Sequence, residues 1–243
     1  MTDRPLQIGS KGAYIVRILM VGDSACGKTS LVLRFDQNVF STKFVTTIGV
    51  DYRDKVVKVE DVNMRVQLWD TAGQERFRSL TSNFFGRADG FVLTYDITNR
   101  TSFENVMGWM RDINSRAPPD VEIVLCANKT DVDEQERVVD QEEGEALAEE
   151  FGVAYFECSA KNGDFVADMF MDLATSIKHR RLANINDKHP GDATVAGEKR
   201  RENGDAQSPG AIFGFKLSPT QKHPSDESSG PEFKSSALDR CCG

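Results

Sequence analysis

One eight-residue motif, Gly22-Asp23-Ser24-Ala25-Cys26-Gly27-Lys28-Thr29, constrains the fold of this chain more than any other feature of its sequence. It fits the pattern G-x-x-x-x-G-K-[ST], whose glycines let the backbone curl until successive N–H groups converge on a phosphate. A β-rich run precedes the motif and a helical run follows it, so the partial positive charge of a helix N-terminus is added. We predict a nucleotide-phosphate loop in which Lys28 reaches the β- and γ-phosphates and the Thr29 hydroxyl ligates Mg²⁺. The motif alone does not choose the base.

The rest of the N-terminal three quarters alternates short apolar runs with helical segments. Valine, isoleucine, leucine and aromatic residues dominate the apolar runs, as buried strands require. We predict strands at 14–21, 50–59, 64–69, 90–95, 122–127 and 154–158, and helices at 28–35, 102–115, 141–151 and 165–179. Together with the phosphate-loop motif, this alternation predicts an α/β, three-layer P-loop NTPase-type fold with a mainly parallel six-stranded sheet and helices on both faces.

Two of the predicted helices have residues suited to their ends. Thr101 and Glu104 have the spacing of a capping box, and so do Asp140 and Glu143. Gly152 stands where the helix over 141–151 should stop, since glycine adopts the left-handed conformation common at helix C-termini.

The composition changes after about Arg181. Residues 182–243 hold five of the eight prolines, together with many Gly, Ser, Asp and Lys residues and no apolar periodicity. Such a segment cannot bury enough apolar surface to offset its ordering entropy. We therefore predict a flexible N-terminus over 1–13, a folded domain over 14–181 and a disordered tail over 182–243.

Charge and cysteine usage exclude several functions. The formal net charge of −8 argues against a nucleic-acid binder, which needs clustered Lys and Arg. The five cysteines are odd in number and show no zinc-site spacing, so a reducing compartment is expected, with Cys126 and Cys158 in the core. The three histidines lie near or within the tail, which removes His-based triads. No run approaches the ~20 apolar residues of a membrane span.

A second motif, Asn128-Lys129-Thr130-Asp131, directly follows a predicted strand. The carboxylate of Asp131 can accept hydrogen bonds from N1–H and the 2-amino group of guanine, and adenine has neither donor there. Asn128 is expected to tie this loop to the phosphate loop and the base, while the Lys129 stem covers one face of the ring and Phe40 an edge of the other. Backbone N–H groups of the stretch 159–161, Ser-Ala-Lys, can reach the base oxygen. The pattern predicts guanine recognition.

These motifs resemble those of the small GTPases of the Ras superfamily and, within it, of the Rab family. The match covers about Tyr14 to Arg181. It adds two stretches to the motifs above, Thr-Ile-Gly-Val-Asp over 47–51 and Trp-Asp-Thr-Ala-Gly-Gln-Glu-Arg-Phe over 69–77, and both look like Rab rather than Ras, Rho or Arf.

The resemblance implies roles for individual residues. Thr29, Thr47 and Asp70 hold Mg²⁺, backbone N–H groups of Thr47 and Gly73 contact the γ-phosphate, and the catalytic residues are Gln74, which orients water, and Lys28. The expected nucleotide-binding residues are Gly22, Asp23, Ser24, Ala25, Cys26, Gly27, Lys28, Thr29, Ser30, Phe40, Thr47, Gly73, Asn128, Lys129, Asp131, Ser159, Ala160 and Lys161. The expected effector surface comprises Ile48, Gly49, Val50, Tyr52, Trp69 and Phe84.

The resemblance also implies a cycle. Hydrolysis of GTP to GDP releases two loops held by the γ-phosphate, and effectors read the change. With no obvious arginine finger in the phosphate loop or the stretch around Thr47, turnover should be on the order of 10⁻³ s⁻¹ or below without a partner. Ala25, Cys26, Tyr52 and the stretch 84–87 depart from the usual family residues. The last two departures leave the identity of the effector open.

The chain ends Arg240-Cys241-Cys242-Gly243, which is not a C-a-a-X box. In the Rab family such paired cysteines carry geranylgeranyl groups, and two chains anchor stably where one is marginal. The implied location is the cytoplasmic face of an intracellular membrane, with a cytosolic pool. The implied partners of this monomer are an exchange factor, a GTPase-activating protein, a GDP-dissociation inhibitor or escort protein, and effectors in vesicle trafficking.

Other functions fit the sequence less well. A P-loop kinase or ATPase would need a different base-reading loop and a substrate lid. A nucleotide-locked scaffold would not need Lys28, Thr47, Gly73 and Gln74 together. A soluble switch resembling Ran would not need the terminal cysteines.

Overall fold

The computed structural model describes residues 13–43, 47, 49–71, 73 and 83–186. Its strands are β1 (Tyr14–Val21), β2 (Val50–Val59), β3 (Val62–Thr71), β4 (Gly90–Asp96), β5 (Glu122–Asn128) and β6 (Ala154–Cys158). They form one six-stranded sheet in the order β2-β3-β1-β4-β5-β6. Only the β2–β3 pair is antiparallel.

The helices among the described residues are α1 (Lys28–Gln37), α2 (Arg100–Glu104), α3 (Val106–Arg116), α4 (Gln141–Phe151) and α5 (Val166–Asn186), with 3-10 turns at Phe85–Arg87 and Glu134–Glu136. They cover both faces of the sheet. Side chains alternate along β1, so Val16, Ile18 and Met20 face α1 and α5, while Leu19 and Val21 face α3 and α4. The two buried layers explain why the central strands read as continuous apolar runs.

Parallel strands bring their carboxyl ends to one edge of the sheet. The phosphate-loop motif follows β1, Thr71 ends β3, Asn128 ends β5 and Ser159 follows β6. Motifs that are more than 100 residues apart in the chain therefore meet at one edge, where open α/β sheets bind ligands.

The predicted fold class and all six strands are confirmed, although β3 is longer at both ends than predicted. The helix over 141–151 is confirmed with its capping box, and Gly152 is left-handed at φ 66°. Cys126 and Cys158 are buried in the core as predicted.

The single helix predicted over 102–115 is wrong, because the chain forms two helices that meet at Asn105. The predicted capping box at Thr101 and Glu104 is also wrong. The N-cap is Asn99, whose Oδ1 accepts the Ser102 N–H at 3.2 Å. An asparagine side-chain oxygen accepts such a backbone N–H readily, which favours asparagine at the N-cap.

The last helix differs from its prediction at both ends. It begins at Val166 because Phe165 has a φ of 53°, and it continues to Asn186, past the domain end predicted at residue 181. None of the helices in the described part of the chain is long and apolar enough to cross a membrane. The terminal cysteines and the tail beyond residue 186 lie outside the described residues.

Candidate functional site

A cleft of about 380 Å³ opens at the carboxyl edge of the sheet. Fourteen of the predicted nucleotide-binding residues line it: Ser24, Ala25, Gly27, Lys28, Thr29, Ser30, Phe40, Thr47, Gly73, Asn128, Lys129, Asp131, Ala160 and Lys161. The other four, Gly22, Asp23, Cys26 and Ser159, do not line the cleft. All four bond residues that do, through the carbonyls of Gly22, Asp23 and Cys26 and the Ser159 hydroxyl.

Six lining residues were missed by sequence reasoning: Leu33, Ser41, Thr42, Lys43, Thr71 and Val132. Leu33 stands one helical turn after Thr29, so the period of α1 could have placed it on the same face. Ser41, Thr42 and Lys43 carry no motif, and only their nearness to Phe40 in sequence pointed to the cleft.

The phosphate loop is shaped around backbone contacts. Gly27 has a φ of 93°, and a Cβ on it would overlap the Asn128 side-chain nitrogen. The Lys28 ammonium is buried and donates to the carbonyls of Gly22 at 2.8 Å and Asp23 at 2.6 Å. It also lies beside Gly73, where any Cβ would overlap it. The loop thus presents a fixed cation next to the glycine that follows β3.

Three oxygen-bearing side chains, those of Thr29, Thr47 and Asp70, converge near the Lys28 ammonium group. Thr29 Oγ1 donates to Asp70 Oδ2 at 2.6 Å and lies 2.9 Å from Thr47 Oγ1, which is itself 3.5 Å from Asp70 Oδ2. Burial raises the pKa of Asp70, against hydrogen bonds from both threonines and the charge of Lys28 that lower it. Its other oxygen, Oδ1, is buried and has no hydrogen-bond partner among the described residues. A hard cation such as Mg²⁺ prefers carboxylate and hydroxyl oxygens of this kind, so the residues fit that ion.

Asn128 links the phosphate loop to the loop after β6. Its Nδ2 donates to the Cys26 carbonyl at 2.8 Å, and its Oδ1 accepts the Ala160 N–H at 3.2 Å. The side chain is 1% exposed, so both bonds are sheltered from water. Asn128 therefore sets the spacing between the phosphate end and the other end of the cleft.

Asp131 stands at that other end with two partners. Ser159 Oγ donates to its Oδ1 at 2.7 Å, and Lys161 Nζ lies 3.0 Å from its Oδ2. Burial pushes the pKa of Asp131 upward, but the hydrogen bonds from Ser159 and Lys161 outweigh it and leave the pKa below its usual value. The carboxyl group is therefore an ionised acceptor at neutral pH. The sequence predicted only that backbone N–H groups of the stretch 159–161 reach the base oxygen. The side chains of Ser159 and Lys161 have a further role, because both contact the Asp131 carboxylate.

Lys129 lies between Asn128 and Asp131 in the sequence motif. Its backbone is left-handed, with φ at 75°, and its ammonium group forms an ion pair with Asp96 at the end of β4. Asp96 Oδ1 in turn accepts the Thr98 N–H at 2.9 Å. These contacts hold the Lys129 stem along the cleft wall.

Asp23 has partners that the sequence did not suggest. Its Oδ2 accepts from Asn105 Nδ2 at 2.7 Å and its Oδ1 from Trp109 Nε1 at 2.8 Å. Asn105, the residue between α2 and α3, therefore reaches the phosphate loop with its side chain.

The predicted effector surface is partly brought together. Tyr52 and Trp69 are paired across β2 and β3, and Tyr52 is 48% exposed. Trp69 meets Phe84 edge to face, with ring centroids 5.2 Å apart. Gly49 and Val50 lie at the start of β2. Ile48, Gln74, Cys241 and Cys242 lie outside the described residues.

Comparison with known proteins agrees with this site. The family model described as "Ras family" matches residues 17–179. The Ras-related protein RABE1d of Arabidopsis thaliana is 42% identical over 180 residues, which is 74% of this chain and 83% of that protein. The Ras-related protein Rab-8B of Homo sapiens is 40% identical over 176 residues, 72% of this chain and 84% of that protein. The GTP-binding protein yptV2 of Volvox carteri is 43% identical over 175 residues, 72% of this chain and 79% of that protein.

The family model covers most of the folded domain, and the Rab relatives cover more than two thirds of both chains. Together with the phosphate loop and the mainly parallel sheet, these matches show that the chain belongs to the Rab family of small GTPases, which are GTP hydrolases that regulate vesicle trafficking.

Proposed function

We propose that this cleft binds GTP and GDP together with Mg²⁺, and that loss of the γ-phosphate changes the surface around Tyr52, Trp69 and Phe84. The observation that carries the proposal is the convergence of Thr29, Thr47 and Asp70 oxygens beside Lys28. This group of oxygens lies at the phosphate end of the cleft, whereas the Asp131 carboxylate, bonded to Ser159 and Lys161, lies at the other end.

The phosphate end would hold the triphosphate by charge and backbone donors. The Lys28 ammonium and the N–H groups of the loop before α1 neutralise the β- and γ-phosphates. Mg²⁺ held by Thr29, Thr47 and Asp70 would supply further charge neutralisation on the same oxygens. The buried Asp70 Oδ1 without a described partner supports this assignment.

The base end would select guanine. The ionised Asp131 carboxylate accepts from N1–H and the 2-amino group, and Ser159 and Lys161 keep it in place. A bound adenine would leave that carboxylate without donors, at a cost of several kcal/mol.

Hydrolysis in this site depends on positioning more than on covalent chemistry. Gln74 orients the attacking water, and Lys28 stabilises the charge that develops on the leaving phosphate. None of the described residues that line the cleft is an arginine. We expect slow turnover that is accelerated by an arginine from a GTPase-activating protein.

The switch would connect the site to its partners. Thr47 and Gly73 both line the cleft, next to β2 and β3 respectively. When the γ-phosphate leaves, the backbone at these two residues loses its ligand. Tyr52 on β2 and Trp69 on β3 lie on the strands that these two residues adjoin, so they would report the change. Effectors and an exchange factor would bind there.

Membrane attachment would come from geranylgeranyl groups on Cys241 and Cys242, with a GDP-dissociation inhibitor or escort protein carrying the lipids in the cytosol. The protein would then act as a monomer on the cytoplasmic face of an intracellular membrane.

Single-turnover hydrolysis of GTP by the full chain tests the catalytic part of the proposal, with a Gln74→Leu variant beside the parent. The parent should convert GTP to GDP and phosphate in the presence of Mg²⁺, and EDTA or the substitution should slow it at least tenfold, as expected of a group that positions the water. Equal rates with and without EDTA would refute the assigned metal site. Equal rates in parent and variant would refute the role of Gln74.

A further inference from the structure

Arg34 is a half-buried residue of α1 whose guanidinium group contacts two separate segments of the cleft wall. Its Nε donates to the Ala160 carbonyl at 2.9 Å, and its Nη2 donates to the Lys161 carbonyl at 2.5 Å. Its Nη1 donates to the backbone and side-chain oxygens of Asn38 at 3.1 and 3.0 Å. Arg34 itself does not line the cleft.

Both segments lead to residues that line the cleft. Asn38 ends α1 in a left-handed conformation and is followed two residues later by Phe40, which lines the cleft. Ala160 and Lys161 line the cleft as well. One planar side chain with five donors can hold both segments at a fixed separation, which a lysine cannot do.

The bonds to Ala160 and Lys161 also set the orientation of the loop's peptide groups. A trans peptide places its C=O and N–H on opposite sides of the chain. A carbonyl of Ala160 that faces α1 therefore directs the Lys161 N–H away from α1. The stem of Arg34 packs on Gly163, where a Cβ would lie 3.4 Å from Arg34 Cδ.

A helix-capping role alone does not account for these contacts. The last turn of α1 is capped by the Asn38 N–H bonded to the Arg34 carbonyl, and a cation there also favours the helix dipole. That role explains the bonds of Nη1. It does not explain the bonds of Nε and Nη2, which reach residues 126 and 127 positions further along the chain.

We propose that Arg34 is a positioning residue for guanine recognition, holding the loop of residues 159–161 so that the Lys161 N–H meets the O6 oxygen of the base. The inference rests on the proposed guanine site, and it adds a determinant from α1 that is separate from Asp131. Arg34 acts on O6, whereas Asp131 acts on N1–H and the 2-amino group.

Base analogues separate the two determinants. GDP and inosine diphosphate both carry O6, whereas 6-thioguanosine diphosphate keeps N1–H and the 2-amino group but has sulfur, a weak acceptor, in place of O6. The dissociation constants of these three and of ADP should be measured with the full chain in Mg²⁺ buffer, for the parent, Arg34→Ala and Arg34→Lys. Arg111→Ala is the matched control, because Arg111 is an exposed helical arginine whose guanidinium bonds the Met107 carbonyl of its own helix.

The expected result is that Arg34→Ala and Arg34→Lys each weaken GDP and inosine diphosphate about tenfold, the size of one charge-assisted hydrogen bond. The same substitutions should weaken 6-thioguanosine diphosphate less than about threefold, since a weak acceptor has little contact to lose. Arg111→Ala should match the parent with every nucleotide.

Equal losses with GDP and 6-thioguanosine diphosphate would overturn the inference and leave Arg34 a purely structural residue. Unchanged GDP affinity in both variants would overturn it as well. A parent that does not prefer GDP to ADP would instead refute the proposed guanine site itself. The two failures are therefore distinguishable in one set of measurements.

Discussion

Asn105 Nδ2 donates to Asp23 Oδ2 at 2.7 Å, which joins the break between α2 and α3 to the phosphate loop across 82 positions of sequence. Trp109, one turn further along α3, donates to the other oxygen of the same carboxylate. The Asp23 backbone carbonyl meanwhile accepts from Lys28. The helix α3 and its start at Asn105 are thereby connected to the phosphate loop.

Replacing Asn105 with alanine should raise the dissociation rate of GDP. Asp23 Oδ2 would lose its donor, and the loop that holds Lys28 would be less rigid, an effect of about three- to tenfold for one lost hydrogen bond. Asn114→Ala, on the exposed side of α3, is the control. Release of a fluorescent GDP analogue measures the rate, and indistinguishable rates in the two variants would show that Asn105 does not position the loop.

A Gly27→Ala substitution should abolish nucleotide binding, with a loss of more than about a hundredfold, because its Cβ would displace the Asn128 side chain that links both ends of the cleft. The control is Gly152→Ala, which has a similar positive φ but open space around it. That control should lose about 1 kcal/mol of stability from backbone strain and keep its GDP affinity. Calorimetric titration with GDP gives both affinities, and tight binding by Gly27→Ala would contradict the steric account.

An Asp131→Asn substitution should move base preference from guanine toward xanthine, which presents an acceptor where guanine has its 2-amino group. The amide offers donors where the carboxylate offered only acceptors. We expect GDP to bind at least about a hundredfold more weakly and xanthosine diphosphate more tightly than in the parent. Competition between the two nucleotides is the measurement. GDP affinity equal to that of the parent would rule out Asp131 as the base-reading group.

The pKa of Asp131 also predicts a pH dependence of stability. Its folded-state pKa is lowered below the ordinary 3.8, with hydrogen bonds from Ser159 and Lys161 outweighing the effect of burial. Those bonds stabilise the native state above the unfolded pKa, and their contribution is lost as the pH falls through the folded pKa. The difference in Tm between nucleotide-free parent and Asp131→Asn should be constant from about pH 7 to 5 and shrink below about pH 4. A difference that shrinks already near pH 6 would be incompatible with a lowered pKa.

Local patterns in the sequence determined the order and type of most elements. Buried strands need apolar runs, and the capping box of Asp140 and Glu143 with the left-handed Gly152 marks both ends of α4 within 13 residues. The phosphate loop is equally local, because its backbone contacts depend on glycines at fixed spacing. Family resemblance, carried by such short motifs, followed from the same sequence features.

Only the tertiary structure decided which distant residues act together. Asn105 ends a predicted helix early, Arg34 reaches the loop after β6, and Ser159 meets Asp131, although none of these pairs has a periodic or adjacent signature in the chain. The parallel sheet brings the ends of its strands to one edge, and side chains from α1 and α3 then meet loops that are up to 127 positions away. A one-dimensional pattern encodes burial and turn chemistry, whereas these bonds depend on the relative placement of packed elements.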